Sequence, residues 1–397
     1  MSEVVNIPQL RFPEFNGEWE EKALGVVATI TTGSTPSTSN NEYYDGDVAF
    51  VSPADIQGNR IVRSTKTTIT ELGLSVVREI KKRSTLFVCI GSTIGKVSQA
   101  GVNCATNQQI NALTAKNSFD NDFIYSLLEF KAPRIKLLAG VQAVPQINKS
   151  EFSRFKFTFP LLPEQQKIAA FLTAVDNKIE QLSKKQALLG EYKKGLMQQI
   201  FSQAIRFKSD DGGTFPDWEE KNGNEIFDNI SNKNHDSDLP ILAITQEHGA
   251  IPRDLINYKM IVSDKSVSSY KVVETGDFII SLRSFQGGIE YSNYKGICSP
   301  AYIILRPAIE IEKKFYKYYL KTYRYIQDLN RKLEGIRDGK MVSYKYFSEI
   351  KLPYPSISEQ AKIANFLSSI DNKIEQVGKQ LDESKQFKKA LLQQMFV

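Results

Sequence analysis

Cysteine and histidine are scarce: this chain of 397 residues holds three of the first and two of the second. Cys89, Cys104 and Cys298 form no CxxC pair, which argues against zinc and against a disulfide framework. Cys104 and Cys298 fall inside strand-like runs and read as small core residues in a reducing cytoplasm. His235 and His248 stand without HExxH or cysteine company and suggest no catalysis. No run approaches the roughly 18 apolar residues of a membrane span, and MSEVVNIPQL lacks the basic start and apolar core of a secretory signal. A strong excess of charge of one sign is missing too. The 51 Lys and Arg stand against 45 Asp and Glu, a net +6 with no basic tail, so an anionic partner must meet a shaped local patch. GSTIGK at Gly91–Lys96 is one residue short of the phosphate-binding GxxxxGK, and Val97 replaces the required Ser or Thr. It is not a nucleotide site. FPDWEEK at Phe215–Lys221 has the letters of a PD…ExK nuclease signature at far too short a spacing. Its counterpart FPEFNGEWEEK at Phe12–Lys22 makes it structural.

What is present is duplication. EQQKIAAFLTAVDNKIEQ, Glu164–Gln181, recurs as EQAKIANFLSSIDNKIEQ, Glu359–Gln376, at a shift of 195 residues. The same gap-free register runs from Gly140 to Phe201 and from Gly335 to Phe396, while upstream of it the copies differ almost completely. In the first copy Leu172, Val175, Ile179, Leu182, Leu189, Leu196 and Ile200 form a heptad seam interrupted by Gln186 and Lys193. In the second, Leu367, Ile370, Ile374, Val377, Leu381, Leu391 and Met395 do so, interrupted by Ser384 and Lys388. The 3.5-residue period marks coiled-coil strands. Pro163 suits a first helical turn, and Ser358 is expected to cap the second helix. Each exposed seam needs a partner, and the two match, so an approximate two-fold relation sets them antiparallel. Lys184, Lys185, Lys193 and Lys194 are expected on a solvated face.

The inserts read as α+β, strands first and helix after. Strands are expected at Asp47–Ser52, Thr85–Ile90 and Gln109–Ala115, with a helix over Asp120–Leu138. The second insert offers Ile241–Thr245, Asp277–Leu282 and Ala301–Arg306, then a helix over Glu312–Leu333. That helix mixes Phe315, Tyr319, Tyr323 and Ile326 with Lys314, Lys317, Lys321 and Arg324, either a core face with a solvated face or a phosphate-facing stripe. The fold class is α+β: two globular domains, 1–158 and 205–352, separated by helical spacers 159–204 and 353–397 that pair as an antiparallel coiled coil.

The EQxKIAxFLxxxDNKIEQ helices resemble those of specificity (S) subunits of Type I restriction–modification systems. Supporting this are TGSTPST at Thr32–Thr38, YYDGDVAFVSPADI at Tyr43–Ile56, IGSTIGKV at Ile90–Val97 and CATNQQINAL at Cys104–Leu113. LAITQEHG, GDFIISLRSFQGGIEYS and SPAYIILRP in the second insert are similar to one subgroup of target-recognition domains. The resemblance implies that each insert reads half of an interrupted double-stranded DNA target, spaced by the paired helices. It further implies a non-catalytic chain that scaffolds two adenine methyltransferase subunits and restriction/translocase subunits. No NPPY/DPPY or FxGxG methylation motif and no Walker box occurs here. S-adenosylmethionine, ATP and Mg are therefore expected on the partners, with no cofactor or metal on this chain.

Major-groove reading favours Arg or Lys on guanine and Asn or Gln on adenine, from loops. In the first insert the candidates are Lys96, Asn107, Gln108, Gln109, Gln142, Gln146 and Lys149. In the second they are Arg283, Ser284, Gln286, Arg337, Lys340 and Tyr344, with Gly335 and Gly339 allowing close backbone approach near Arg337 and Lys340. The competing function is a coiled-coil scaffold whose globular ends bind protein or another ligand.

Overall fold

The computed structural model describes residues 6–139, 145–236, 238–256, 267–331 and 342–397. The chain divides into two compact units, Met1–Lys185 with Val377–Val397 and Gln186–Gln376, so each long helix contributes to both.

The first long helix, Leu162–Phe201, runs 40 residues and the second, Ile357–Met395, runs 39. Pro163 lies in the first turn, where its missing N–H costs nothing. The second helix begins at Ile357, 195 residues after Leu162 as the repeat requires, and so one residue before the expected cap Ser358. Glu359 N–H donates to the Ser356 hydroxyl at 3.3 Å and Gln360 N–H to the Ser356 carbonyl at 2.9 Å, so Ser356, not Ser358, is the cap. In unit 1, Leu172 shares a core with Leu391, Leu392 and Met395. In unit 2, Ile200 and Phe201 share one with Ile363, Leu367 and Ile370. In both cases earlier residues of one helix meet later residues of the other, so the helices pair antiparallel. Lys184, Lys185 and Lys194 are exposed, but Lys193 is not on the solvated face. It lies in the seam, 2.6 Å from Asp371.

Each rod begins with a buried polar pair. Glu164 binds the Arg11 guanidinium through two bonds of 2.7 Å, and Gln165 accepts from Asp120 N–H at 3.0 Å while donating to Pro160 O at 2.8 Å. Glu359 and Gln360 repeat this with Arg206, Glu312 N–H and Pro355 O. These polar side chains fix where the lead-in segment and the insert's helix meet the rod. A buried carboxylate stripped of its arginine would cost about 3–5 kcal/mol.

The inserts share a sheet that their sequences hide. In unit 1, Ala28–Thr32, Ile110–Ala115, Thr85–Val88 and Val97–Ala100 lie side by side in that order, all antiparallel, and Ile61–Val62 adds a parallel edge. In unit 2, Phe227–Ile230, Ile303–Pro307, Phe278–Ile280 and Glu290–Tyr291 take the same order with the same sense. Phe87, Phe123 and Phe152 on one side, and Phe227, Phe278 and Tyr316 on the other, are wholly buried. Each such side chain contributes about 1.5–3 kcal/mol.

The helix expected over Glu312–Leu333 is broken. Lys313–Tyr319 and Tyr323–Arg331 are separate helices, and Thr322 caps the second by accepting from Tyr325 N–H at 3.3 Å. Tyr323 is exposed rather than in the core. Lys321 pairs with Glu290, and Lys317 lies over the rings of Tyr291 and Tyr318, so these two cations brace the fold instead of forming a free stripe. Burial pushes the Glu290 carboxyl up and the Lys321 amine down even within their pair. All three cysteines are free and buried.

Candidate nucleic-acid interface

In unit 1 the strands Thr85–Val88 and Val97–Ala100 are joined by residues 89–96, with Gly91 at φ 92° and Gly95 at φ 90°. No helix follows the glycines, which removes any phosphate-loop geometry. Other loops close around this connection. Cys89 N–H donates to Gln109 O at 2.8 Å, Gly91 N–H to Pro145 O at 2.9 Å, and Ile147 N–H to Cys89 O at 2.9 Å. Ile90 and Gln146 form an antiparallel bridge. The Thr35 hydroxyl donates to Gln108 Oε1 at 2.8 Å, and Lys96 Nζ reaches Pro53 O at 3.4 Å. Gly33 crosses so close that an added Cβ would lie 2.1 Å from Asn107 O. Four segments scattered between Thr32 and Leu113, and a fifth at Pro145–Ile147, therefore meet at one end of the sheet.

The candidates divide by how their side chains are occupied. Asn107 donates to Gln109 Oε1 at 3.0 Å and accepts from Gln109 N–H at 3.1 Å, while Gln109 Nε2 turns to Ile90 O at 3.5 Å. Those two brace the loop. Gln108 and Gln146 are exposed and Lys96 is half-buried, which leaves polar groups at the surface of the cluster. Lys149 is exposed in the first turn of a short helix capped by Asn148. Gln142 lies outside the described residues.

Unit 2 builds its candidate loop at the corresponding place in its own sheet, between Phe278–Ile280 and Glu290–Tyr291. Arg283 and Gln286 are exposed there. Ser284 is not: it is 1% exposed and its hydroxyl accepts from Ser281 N–H at 2.9 Å, so it shapes the turn. The Arg283 carbonyl accepts from Gln286 N–H at 2.9 Å and from Gln246 Nε2 at 3.3 Å, and Asn330 Nδ2 holds Phe285 O at 2.9 Å. At Gly288, φ is 81° and an added Cβ would lie 2.1 Å from Leu320 O. Tyr344 donates its hydroxyl to Phe227 O at 2.9 Å and packs on the core, where burial pushes its phenol up. It is an anchor and not a free reader. Arg337 and Lys340 lie outside the described residues.

This inventory offers amide, ammonium and guanidinium groups at two loop edges, the groups that hydrogen-bond base edges and phosphates. Among the described residues, no cluster of three His, Cys, Asp or Glu is placed to hold a metal ion, and no helix is long and apolar enough to cross a membrane.

The model of the Type I restriction modification DNA specificity domain matches residues 16–189 and again 216–384. The chain belongs to this specificity family. A relative from Methanocaldococcus jannaschii, the Type I restriction enzyme MjaVIII specificity subunit, is 25% identical over 405 residues, covering 96% of this chain and 92% of the relative. The putative Type I restriction enzyme MjaX specificity subunit of the same organism is 28% identical over 289 residues, covering 68% and 65%. The crystal structure of a Type-I restriction-modification S subunit from M. genitalium aligns over 98% of this chain and 99% of its own, with a TM-score of 0.63 at 18% identity. That likeness is one of fold.

For a specificity-family chain, sequence reasoning missed three polar residues at the loop edges. Thr35 holds Gln108, Gln246 holds the Arg283 turn, and the exposed Arg78 donates to Thr32 O at 2.7 Å beside Gly33. Thr35 and Gln246 sit inside the quoted motifs TGSTPST and LAITQEHG, which was the available signal. Nothing local distinguished Arg78.

Proposed function

We propose that this chain is the DNA-reading subunit of a Type I restriction–modification enzyme, each insert reading one half of an interrupted double-stranded target. The observation that carries this is the placement of two dissimilar polar loops, residues 89–96 and 281–289, at the corresponding strand connection of two sheets with the same strand order. A constant frame with different loops suits two different base sequences. The chain supplies recognition and a scaffold without catalysis. Adenine methyltransferase subunits, two to match the two copies, and restriction/translocase subunits carry S-adenosylmethionine, ATP and Mg. Membership of the specificity family favours this over a scaffold whose ends bind protein.

The test is co-expression of the chain with its methyltransferase subunit, followed by long-read detection of methylated adenines. The expected result is one bipartite target with an unspecified spacer. Purified complex should also lose DNA affinity steeply with salt. No methylation, or a continuous target, would refute the reading.

A further inference from the structure

We propose that Lys388 and Lys193 are positioning residues that seat the inserts on the helix pair, each serving the insert of the other copy. The inference rests on the DNA-reading function above.

In unit 1 the Lys388 ammonium lies 2.6 Å from Asp176 and 2.5 Å from Glu129, and 5.8 Å from the centre of the Tyr125 ring. The Tyr125 hydroxyl donates to Glu129 at 3.2 Å. Tyr125 and Glu129 belong to the first insert's helix, Asn121–Leu138. In unit 2 the Lys193 ammonium lies 2.6 Å from Asp371 and 4.9 Å from the centre of the Tyr318 ring, and the Tyr318 hydroxyl donates to Asp371 at 2.7 Å. Tyr318 belongs to the second insert's helix, Lys313–Tyr319. Both the two lysines and the two aspartates are 195 residues apart, although the inserts they meet are dissimilar. Each insert presents a tyrosine ring to the lysine of the corresponding Lys–Asp pair.

A lysine in a largely apolar seam is a poor source of stability, because the desolvation of both charges offsets their attraction. What such a pair fixes is register and orientation, since a charged hydrogen bond is directional where apolar contact is not. The first pair is well enclosed, with 12% of the lysine and 9% of the aspartate side chain exposed. From each seat a short path leads to a candidate loop. Arg60 joins Asp176 and Asp122 at 2.9 Å each, and its Nε donates at 2.8 Å to Gln99, on the strand that follows Lys96. In unit 2, Leu320, two residues beyond Tyr318, packs its carbonyl on Gly288 of the loop. A seat that shifts therefore moves the loop it supports. Because Lys388 comes from the second copy and Asp176 from the first, each seat needs both copies.

The test uses the full chain with its methyltransferase subunit, comparing the methylomes of Lys388→Met and Lys193→Met. Exchange of residues 217–350 assigns each half-site to its insert. Lys388→Met is expected to relax only the half read by the first insert, with discrimination against single mismatches falling from about tenfold or more to about twofold. Lys193→Met is expected to do the same only to the half read by the second insert, and Lys→Arg should preserve both. Tyr318→Phe removes one hydroxyl without opening a cavity and is expected to act like Lys193→Met, which keeps the test decisive if a lysine variant fails to fold. Relaxation of the half belonging to the lysine's own copy, of both halves equally, or of neither would overturn the proposal. Absence of a bipartite target with the unsubstituted chain would instead overturn the DNA-reading function itself.

Discussion

Leu10 donates its backbone N–H to the carbonyl of Gln394 at 2.9 Å, and Ile205 donates to Gln199 at 3.2 Å. Each member of the second pair lies 195 residues from its counterpart in the first. In unit 2 that bond spans a tight turn along continuous chain. In unit 1 it joins the lead-in segment to the second long helix across the sequence. The same local structure forms with or without a peptide connection. A circular permutant, opened in the exposed turn at Ser202–Ala204 and closed by a flexible linker between the original ends, should fold and specify the same methylation target. A thermal melt within a few degrees of the native chain's, with an unchanged methylome, is the expected result; loss of cooperative melting would refute it.

Two glycines give a separate handle on each loop. Gly33→Ala forces a Cβ to within 2.1 Å of Asn107 O, and Gly288→Ala does the same at Leu320 O while also placing alanine at φ 81°. Backbone atoms cannot step aside cheaply, and φ 81° with ψ −166° is a conformation essentially confined to glycine, costing alanine on the order of 1–3 kcal/mol by itself. Gly33→Ala should blur the half-site read by the first insert and Gly288→Ala that read by the second, each leaving the other intact. Methylomes of the two variants check this.

Fragment 1–204 keeps one insert and one rod with its seam uncovered. Lys193 first reads as an obstacle to pairing that rod with its own copy. The contacts of Lys388 with Asp176 and of Lys193 with Asp371 show that a copy-one rod carries both members of the pair. In an isologous dimer Asp176 would face Lys193 of its mate. Sedimentation at micromolar concentration should show a dimer, and Lys193→Asp should return it to monomer. A well-folded monomer before substitution would contradict the account.

The cysteines provide a pH test. Burial pushes the thiols of Cys89, Cys104 and Cys298 up to about 12. In the unfolded chain a thiol titrates near about 8.5. Above that value the unfolded state binds fewer protons than the folded one, so the stability these groups contribute is intact below pH ~8.5 and is lost as pH rises towards 12. Native protein should therefore resist thiol-modifying reagents at pH 8, with three thiols appearing on denaturation. Cys298→Ala should flatten the fall of the melting temperature between pH 8.5 and 10. Rapid labelling of the native chain would show that burial is not as described.

Much of this was legible because it is periodic or local. The seam from Leu172 to Ile200 predicts the rod, and the runs starting at Thr85, Gln109 and Ala301 predict strands that the fold contains at Thr85–Val88, Ile110–Ala115 and Ile303–Pro307. The break at Leu320–Thr322 was hidden because apolar spacing continues through it; only the Thr322 cap and the approach of Gly288 disclose it. The common sheet was also hidden, since strand order arises from pairings between distant segments and not from residue type. At the loops, composition found exposed Gln108, Gln146, Arg283 and Gln286 but could not separate them from Asn107, Ser284 and Tyr344, whose polar atoms are occupied by the fold.

The most direct measurement is to replace residues 217–350 with the corresponding insert of another specificity-family member and read the methylome of cells carrying the hybrid with its methyltransferase subunit. Independent reading by two inserts on one frame predicts that one half of the target changes completely while the other half and the spacer length stay as they were. A hybrid in which both halves change, or in which the spacer changes with the insert, would contradict it.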